Sequence, residues 1–273
     1  MREYVVSETM KLSNFLDNYF PELTNAQLNK LNKLRDIKIN GVRNNNSNTI
    51  VNAGDKVAIY IPEKDVAPLN IDIIYQDDNI LIIDKEDGIN SEGVYNFLKR
   101  ERNIYFIHRI DRNTKGLLVF AKNTEAETIL LDAFKDRTIT KKYFALVYGK
   151  LPDKENTLTA YLKKDSLSAT VYIYDKQVSN SEQIITKYKV IEEYDDTSLI
   201  EVELVTGKTH QIRAHLAYLG NFIIGDGKYG DEDINKSHNK NRQCLIAKSI
   251  KFNKMSGILE YLNDKEFKSN KMF

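Results

Sequence analysis

From Ile71 onward the chain carries more short β-forming runs than helical ones, and the two kinds do not alternate regularly. Ile71-Asp72-Ile73-Ile74-Tyr75 and Ile80-Leu81-Ile82-Ile83-Asp84 read as strands joined by the turn Gln76-Asp77-Asp78-Asn79. Further strands are expected at Leu117 to Ala121, Phe144 to Tyr148, Thr186 to Glu192 and Ser198 to Val205, with helices at about 124–136 and 208–219. Regular β-α alternation would give a doubly wound parallel sheet. Its absence restricts this region to an α+β domain with a largely antiparallel, mixed sheet.

The first sixty residues have a different pattern. Leu12, Phe15, Leu16, Tyr19 and Phe20 fall on one helical stripe that Pro21 stops. Thr24 is placed to cap a second helix through Leu34, whose Leu28, Leu31 and Leu34 face inward, so the two helices make a hairpin. Ile37 to Val42 reads as a strand ending in an Asn40-Gly41 turn, and Val57 to Ile61 as another. This predicts a small α+β module over 1–62, a linker over 63–70 and a larger domain over 71–273. Asp231 to Arg242 reads as a polar loop.

Composition limits the function classes. Hydrophobic residues at 41% fill a core, so the chain is not mainly disordered. The formal net charge of +1 excludes a globally basic nucleic-acid binder and leaves local clusters to carry any such role. The single cysteine, Cys244, rules out an internal disulfide and a cysteine-built metal site. No stretch has the apolar length of a membrane span. The expectation is a cytoplasmic monomer with no metal, no cofactor and no membrane partner.

Two stretches carry chemistry. In His108-Arg109-Ile110-Asp111-Arg112-Asn113-Thr114-Lys115-Gly116-Leu117-Leu118, one carboxylate lies between two arginines, which keep it ionised and suit it to act as a nucleophile. From these residues alone a surface ion pair is the commoner explanation. In Thr206-Gly207-Lys208-Thr209-His210-Gln211-Ile212-Arg213-Ala214-His215-Leu216, a strand ends, Gly207 turns the chain, and a helix begins whose first turn presents Thr209, His210 and Arg213. Helix starts gather donors toward an anion, although polar first turns are also ordinary caps.

Together with Gly225-Asp226-Gly227-Lys228-Tyr229-Gly230, these stretches resemble the paired signatures of the RluA-like pseudouridine synthases, which read H-R-L-D-R-D-T-S-G-L-L, then T-G-R-T-H-Q-I-R-x-H-L and G-D-x-x-Y-G. The similarity extends over most of 71–253, and the first module resembles the α-L RNA-binding motif that often precedes this domain. The resemblance implies an RNA-modifying isomerase that turns uridine into pseudouridine, with ribosomal RNA expected ahead of transfer RNA. It implies Asp111 as the catalytic aspartate, Arg213 as its partner, Tyr143 stacked on the uracil and helping to remove the carbon 5 proton, and Arg109 as the wedge that fills the RNA stack. Leu204 would line the base pocket, and His108, Thr209 and His210 are further expected substrate contacts. Lys30, Lys33, Arg35, Lys38 and Arg43 form a fair RNA-backbone footprint in the module.

The sequence also departs from the family pattern. Lys85-Glu86-Asp87-Gly88 stands where Lys-Pro-x-Gly is usual, Lys115 replaces a serine and Lys208 an arginine. The G-x-G-x-x-G at Gly225 to Gly230 has no βαβ unit around it, so a dinucleotide site is not expected. His210 and His215 lie five apart, which does not suit a metal pair on one helical face. A hydrolase would want a second carboxylate beside Asp111, and a binding-only protein would not need Asp111, Tyr143 and Arg213 together.

Overall fold

The computed structural model describes residues 1–23, 25–62, 69–165 and 170–273. Thr24 and most of the expected linker 63–70 lie outside the described residues. Contacts divide the chain into two units, Met1–Ile71 with Ile89–Ile104, and Asp72–Gly88 with Tyr105–Phe273.

The first unit runs β1 (Arg2–Val5), β2 (Met10–Lys11), α1 (Leu12–Tyr19), α2 (Asn25–Leu34), β3 (Ile37–Ile39), β4 (Val42–Asn44), β5 (Ile50–Val51) and β6 (Lys56–Ile59), then α3 (Ser91–Leu98). Its sheet has the order β1-β6-β3-β4, with β2 paired to β5. The Asn40-Gly41 turn has φ of 50° and 83°, the two positive values that a two-residue hairpin requires. Leu12, Phe15, Leu16 and Phe20 are buried against Ile37, Val57 and Ile59, each side chain contributing about 2 kcal/mol.

The span Ile89–Ile104, which the sequence reading includes in the larger domain, packs in this first unit. Asn90 caps α3 by accepting from Gly93 N at 2.7 Å, and its side-chain amide donates to Asn18 Oδ1. A Cβ at Gly93 would meet Asp17 O at 2.6 Å, so only glycine lets α3 lie this close to α1. A short helix shows its apolar face in sequence but not which element that face will meet.

The second unit contains β7 (Asp72–Gln76), β8 (Ile80–Lys85), β9 (Tyr105–Phe106), β10 (Lys115–Ala121), α4 (Thr124–Lys135), β11 (Ile139–Tyr148), β12 (Glu155–Asp165), β13 (Thr170–Tyr174), β14 (Glu182–Glu193), β15 (Thr197–Leu204), α5 (Gln211–Tyr218), α6 (Glu232–Ser237), β16 (Leu245–Phe252) and β17 (Glu266–Lys268). The sheet order is β13-β12-β14-β15-β11-β16-β10-β8-β7. Among the described pairings only β10 with β16 is parallel. α4 turns Ala126, Leu130 and Ala133 onto Leu117, Val119, Ile139 and Phe252.

The parallel pair positions the site. Gly116 has φ of 112°, and a Cβ there would lie 2.3 Å from Ala247 O, so the backbones of β10 and β16 approach where no side chain fits. On the other side of β16, Lys142 faces Ser249 and Tyr143 faces Ala247, which leaves Lys248 as a bulge beside Tyr143. The 108–114 loop, Tyr143 and the end of β15 therefore meet near the middle of the sheet.

Three sequence expectations need correction: Leu34, expected to face inward with Leu28 and Leu31, is 56% exposed at the end of α2, and the other two concern helices. The polar stretch 231–242 contains α6, fixed not by an apolar stripe but by Asp231, whose carboxylate accepts from Asp233 N and Ile234 N. The helix expected from 208 begins at Gln211, because His210 has φ of 54°, outside the right-handed helical region. No helix among the described residues is long and apolar enough to cross a membrane.

Candidate active site

The loop carrying Asp111 is tied down at several points. Lys85 is buried under it and donates to Glu86 O at 2.7 Å and Arg112 O at 3.1 Å. Arg112 Nε donates to Gly88 O, Gln243 Nε2 donates to Thr114 Oγ1 at 2.6 Å, and Thr114 N closes a turn onto Asp111 O. His108 Nε2 accepts from Val119 N at 3.1 Å, and the ring stacks on Phe134 with centroids 4.5 Å apart. Burial first, then the charge of Lys141, lowers the His108 pKa to about 3. His108 thus borders the site as a neutral anchor of the loop.

Arg213 lies on the first turn of α5, only 8% exposed. It donates Nε to Asp226 Oδ2 at 2.7 Å and Nη2 to Asp226 Oδ1 at 2.9 Å, which leaves Nη1 to donate to Asp111 Oδ2 at 2.9 Å. Asp226, 1% exposed, also accepts from the backbone of Lys228 and Tyr229. Burial would push Asp226 up, but the Arg213 fork outweighs it and holds the carboxyl below its ordinary range. Burial likewise opposes the guanidinium charge, and Asp226, then Asp111, more than offset it, so Arg213 stays charged. The fork fixes the arginine plane, and that plane aims one N–H at Asp111.

Tyr229 ties in the next residue of the motif. Its hydroxyl accepts from Val171 N at 3.0 Å and meets His210 Nδ1 at 2.9 Å, and its ring lies 5.2 Å from the Arg213 guanidinium. His210 Nε2 is 4.0 Å from Asp111 Oδ2. Burial lowers the His210 pKa against the pull of Asp111, which keeps the imidazole neutral at neutral pH. Tyr143 is 7% exposed, and burial, then Asp111, raises its phenol pKa, so it presents a neutral ring.

These residues open into a cavity of about 490 Å³, inside the range that holds a small ligand. The structure brings together the expected Asp111, Tyr143, Arg213, Arg109, His108, Leu204, Thr209 and His210, all of which line it. Arg109 and Thr209 are exposed at its rim, and Leu204 is half-buried on its wall. Asp111 is the one carboxylate among the described lining residues, against Arg109, Lys135, Arg137, Lys141, Lys208 and Arg213. An acid surrounded by that much positive charge suits an anionic ligand.

The five expected backbone contacts lie in the first unit. Lys30, Lys33, Arg35 and Arg43 are exposed, and Lys38 is half-buried with its amine 5.0 Å over the Tyr60 ring. Lys38 on β3 stands directly opposite Arg43 on β4, a like-charge pairing that costs stability unless an anion joins it. The sequence reading assigned no role to Asp226, Tyr229, Lys85 or Lys141. The signal for the first two was present in Gly225-Asp226-Gly227-Lys228-Tyr229-Gly230.

A family model described as RNA pseudouridylate synthase matches residues 79–218. A Vibrio vulnificus protein named ribosomal large subunit pseudouridine synthase C is 30% identical over 270 residues, covering 89% of this chain and 84% of its own. An uncharacterized RNA pseudouridine synthase of Bacillus subtilis is 28% identical, covering 89% of this chain and 85% of its own. Among solved structures, human RNA pseudouridylate synthase domain containing 1 matches with a TM-score of 0.61 and 26% identity, over 68% of this chain and 81% of that one.

Proposed function

The chain belongs to the RNA pseudouridylate synthase family, isomerases that convert uridine to pseudouridine in RNA, and on that premise we propose that Asp111 carries the reaction on ribosomal RNA. One observation carries the assignment: Asp111 is the single carboxylate among the described lining residues, and Arg213 holds it at 2.9 Å. A glycoside hydrolase would need a second carboxylate on the cavity. Asp226 does not line it and is fully engaged by Arg213.

In the proposed sequence the target uridine leaves its stack at a cost of a few kcal/mol, offset by pocket contacts and by Arg109 filling the gap. Asp111 supplies an electron pair to the ribose, either adding to carbon 1′ or removing the carbon 2′ proton, as the bond to nitrogen 1 breaks. Uracil turns over against Tyr143 and Leu204, and carbon 5 bonds to carbon 1′ as the Asp111 ester to that carbon breaks or, on the other route, as Asp111 returns its proton to carbon 2′. The proton lost from carbon 5 balances the one nitrogen 1 gains, so the product has the atoms of the substrate. Because burial keeps Tyr143 protonated, it is first a stacking surface. It takes the carbon 5 proton only by passing on its own. Arg213, pinned by Asp226, holds the Asp111 carboxylate in a fixed orientation through its Nη1 donor.

Ribosomal RNA as the target is supported by the name of the Vibrio relative. Residues 1–62 are read as an α-L-type RNA-binding module, in which Lys30, Lys33, Arg35, Lys38 and Arg43 meet phosphates, and the catalytic domain takes 71–273 apart from the span Ile89–Ile104 that packs in the first unit. The single thiol, Cys244, fits a reducing compartment, and we place the enzyme in the cytoplasm as a monomer. The test is to map pseudouridines in total RNA from cells lacking the gene. Loss of particular sites in large-subunit ribosomal RNA, restored by re-expression, is expected. Loss confined to transfer RNA would overturn the target, and no lost site would overturn the activity.

A further inference from the structure

The cavity contains a cation that its own residues leave unanswered. Lys141 lies two residues before Tyr143 on β11, so both side chains point to the same face of the strand, about 7 Å apart along it. Its ammonium sits 5.3 Å over the Phe134 ring, and a Cβ added at Gly207 would lie 3.5 Å from it. Burial, then the like charge of Arg137, lowers its pKa, and no carboxylate acts against that. Two of the other lining cations differ. Arg213 is divided between Asp226 and Asp111, and Lys208 is paired with Glu182. Among the described residues neither Lys141 nor Arg137 has a carboxylate within ion-pair distance.

A partly desolvated ammonium with a cation neighbour and no anion is costly unless a ligand brings the charge. Phe134 offsets a little of that cost through its ring face. It offers no acceptor, so the Nζ hydrogens remain available to the cavity. The ammonium also stands one same-face step from the ring proposed to stack on the base, which is within the reach of the sugar-phosphate chain on either side of that nucleotide.

We propose that Lys141, with Arg137 beside it, forms a subsite for a backbone phosphate flanking the target uridine. Gly207 places no side chain beside the ammonium. This deepens the reading of the cavity as an RNA site and rests on it. The subsite would position the strand and take no part in bond making, so its loss falls on binding.

The experiment measures binding of the full chain to large-subunit ribosomal RNA as a function of salt, with pseudouridine formation on the same RNA, for wild type, Lys141→Gln, Lys141→Arg and Arg137→Gln. For Lys141→Gln the slope of log K against log salt should fall in magnitude by about 0.7 to 0.9, and affinity at 0.15 M salt should drop about fivefold. The change should appear in KM more than in kcat, with Lys141→Arg restoring the slope and Arg137→Gln giving a smaller shift of the same sign. An unchanged slope in Lys141→Gln, or a fall in kcat at unchanged KM, would overturn the subsite. If Lys141→Gln does not fold, Arg137→Gln carries the test, and an unchanged slope there has the same meaning. Wild type that binds RNA with the slope difference intact but forms no pseudouridine would sink the catalytic reading and leave the subsite standing.

Discussion

The floor of the cavity and its rim at the corner between α4 and β11 are built from the same residue types and treat charge in opposite ways. At the floor the positive charge is answered: Arg213 uses three N–H groups on two carboxylates, and Asp226 accepts from two backbone amides as well. At the rim Lys141 and Arg137 face each other's charge with no described acid to answer them. A matched network fixes geometry before substrate arrives, which is what bond breaking at one atom demands. An unmatched cation waits for a ligand that brings its own charge. The contrast separates residues that position chemistry from residues that hold RNA.

The largest expected effect short of losing Asp111 itself comes from unpinning the floor. Asp226→Asn leaves Arg213 buried beside a neutral acceptor, which should cost about 3 kcal/mol in urea denaturation. With the arginine plane free to turn, kcat should fall on the order of 100-fold while RNA affinity changes little. Unchanged stability and kcat would mean that the fork does not position Asp111.

A pH experiment tests the packing behind the same floor. His215, on α5, is 2% exposed, with Nδ1 3.0 Å from Thr186 Oγ1, and burial lowers its pKa to about 4. Below pH 4 both folded and unfolded chains bind its proton, and between about 4 and 6.5 only the unfolded chain does. The stability it contributes is therefore complete above pH 6.5 and is lost as pH falls toward 4, up to about 3 kcal/mol. Urea midpoints at pH 7 and pH 4.5 should show the loss, and His215→Gln should reduce it. An equal loss in the variant would assign the acid sensitivity to other groups. The smallest effect belongs to the rim, where Lys141→Gln is expected to cost about fivefold in affinity.

Much of the floor was legible in the sequence because its residues come in fixed order on short segments. His108 to Lys122 read as a polar loop feeding a strand, and the loop and β10 follow it. The Asn40-Gly41 turn was legible for a local reason as well, since two positive φ angles ask for those residues. What escaped depends on partners distant in the chain. α6 has no apolar stripe and is held by a cap and by Asn235, which reaches back to Gly225 N and Asp226 O. β12 and β13 complete one edge of the sheet, and their alternation is diluted by lysines and threonines. Lys141 looked like one more strand lysine, and its isolation appears only when the charges around it can be counted.

The most direct test of the central claim is to incubate total RNA from cells lacking the gene with purified wild type and Asp111→Asn, and to count the pseudouridine formed at the missing sites. Asp111→Asn keeps the shape of the side chain and an acceptor for Arg213 while removing the carboxylate charge. The account predicts conversion by wild type and a loss of about 10,000-fold in the variant at undiminished RNA binding. Conversion by Asp111→Asn at a rate near that of wild type would contradict it, and the electron pair would then have to come from another group.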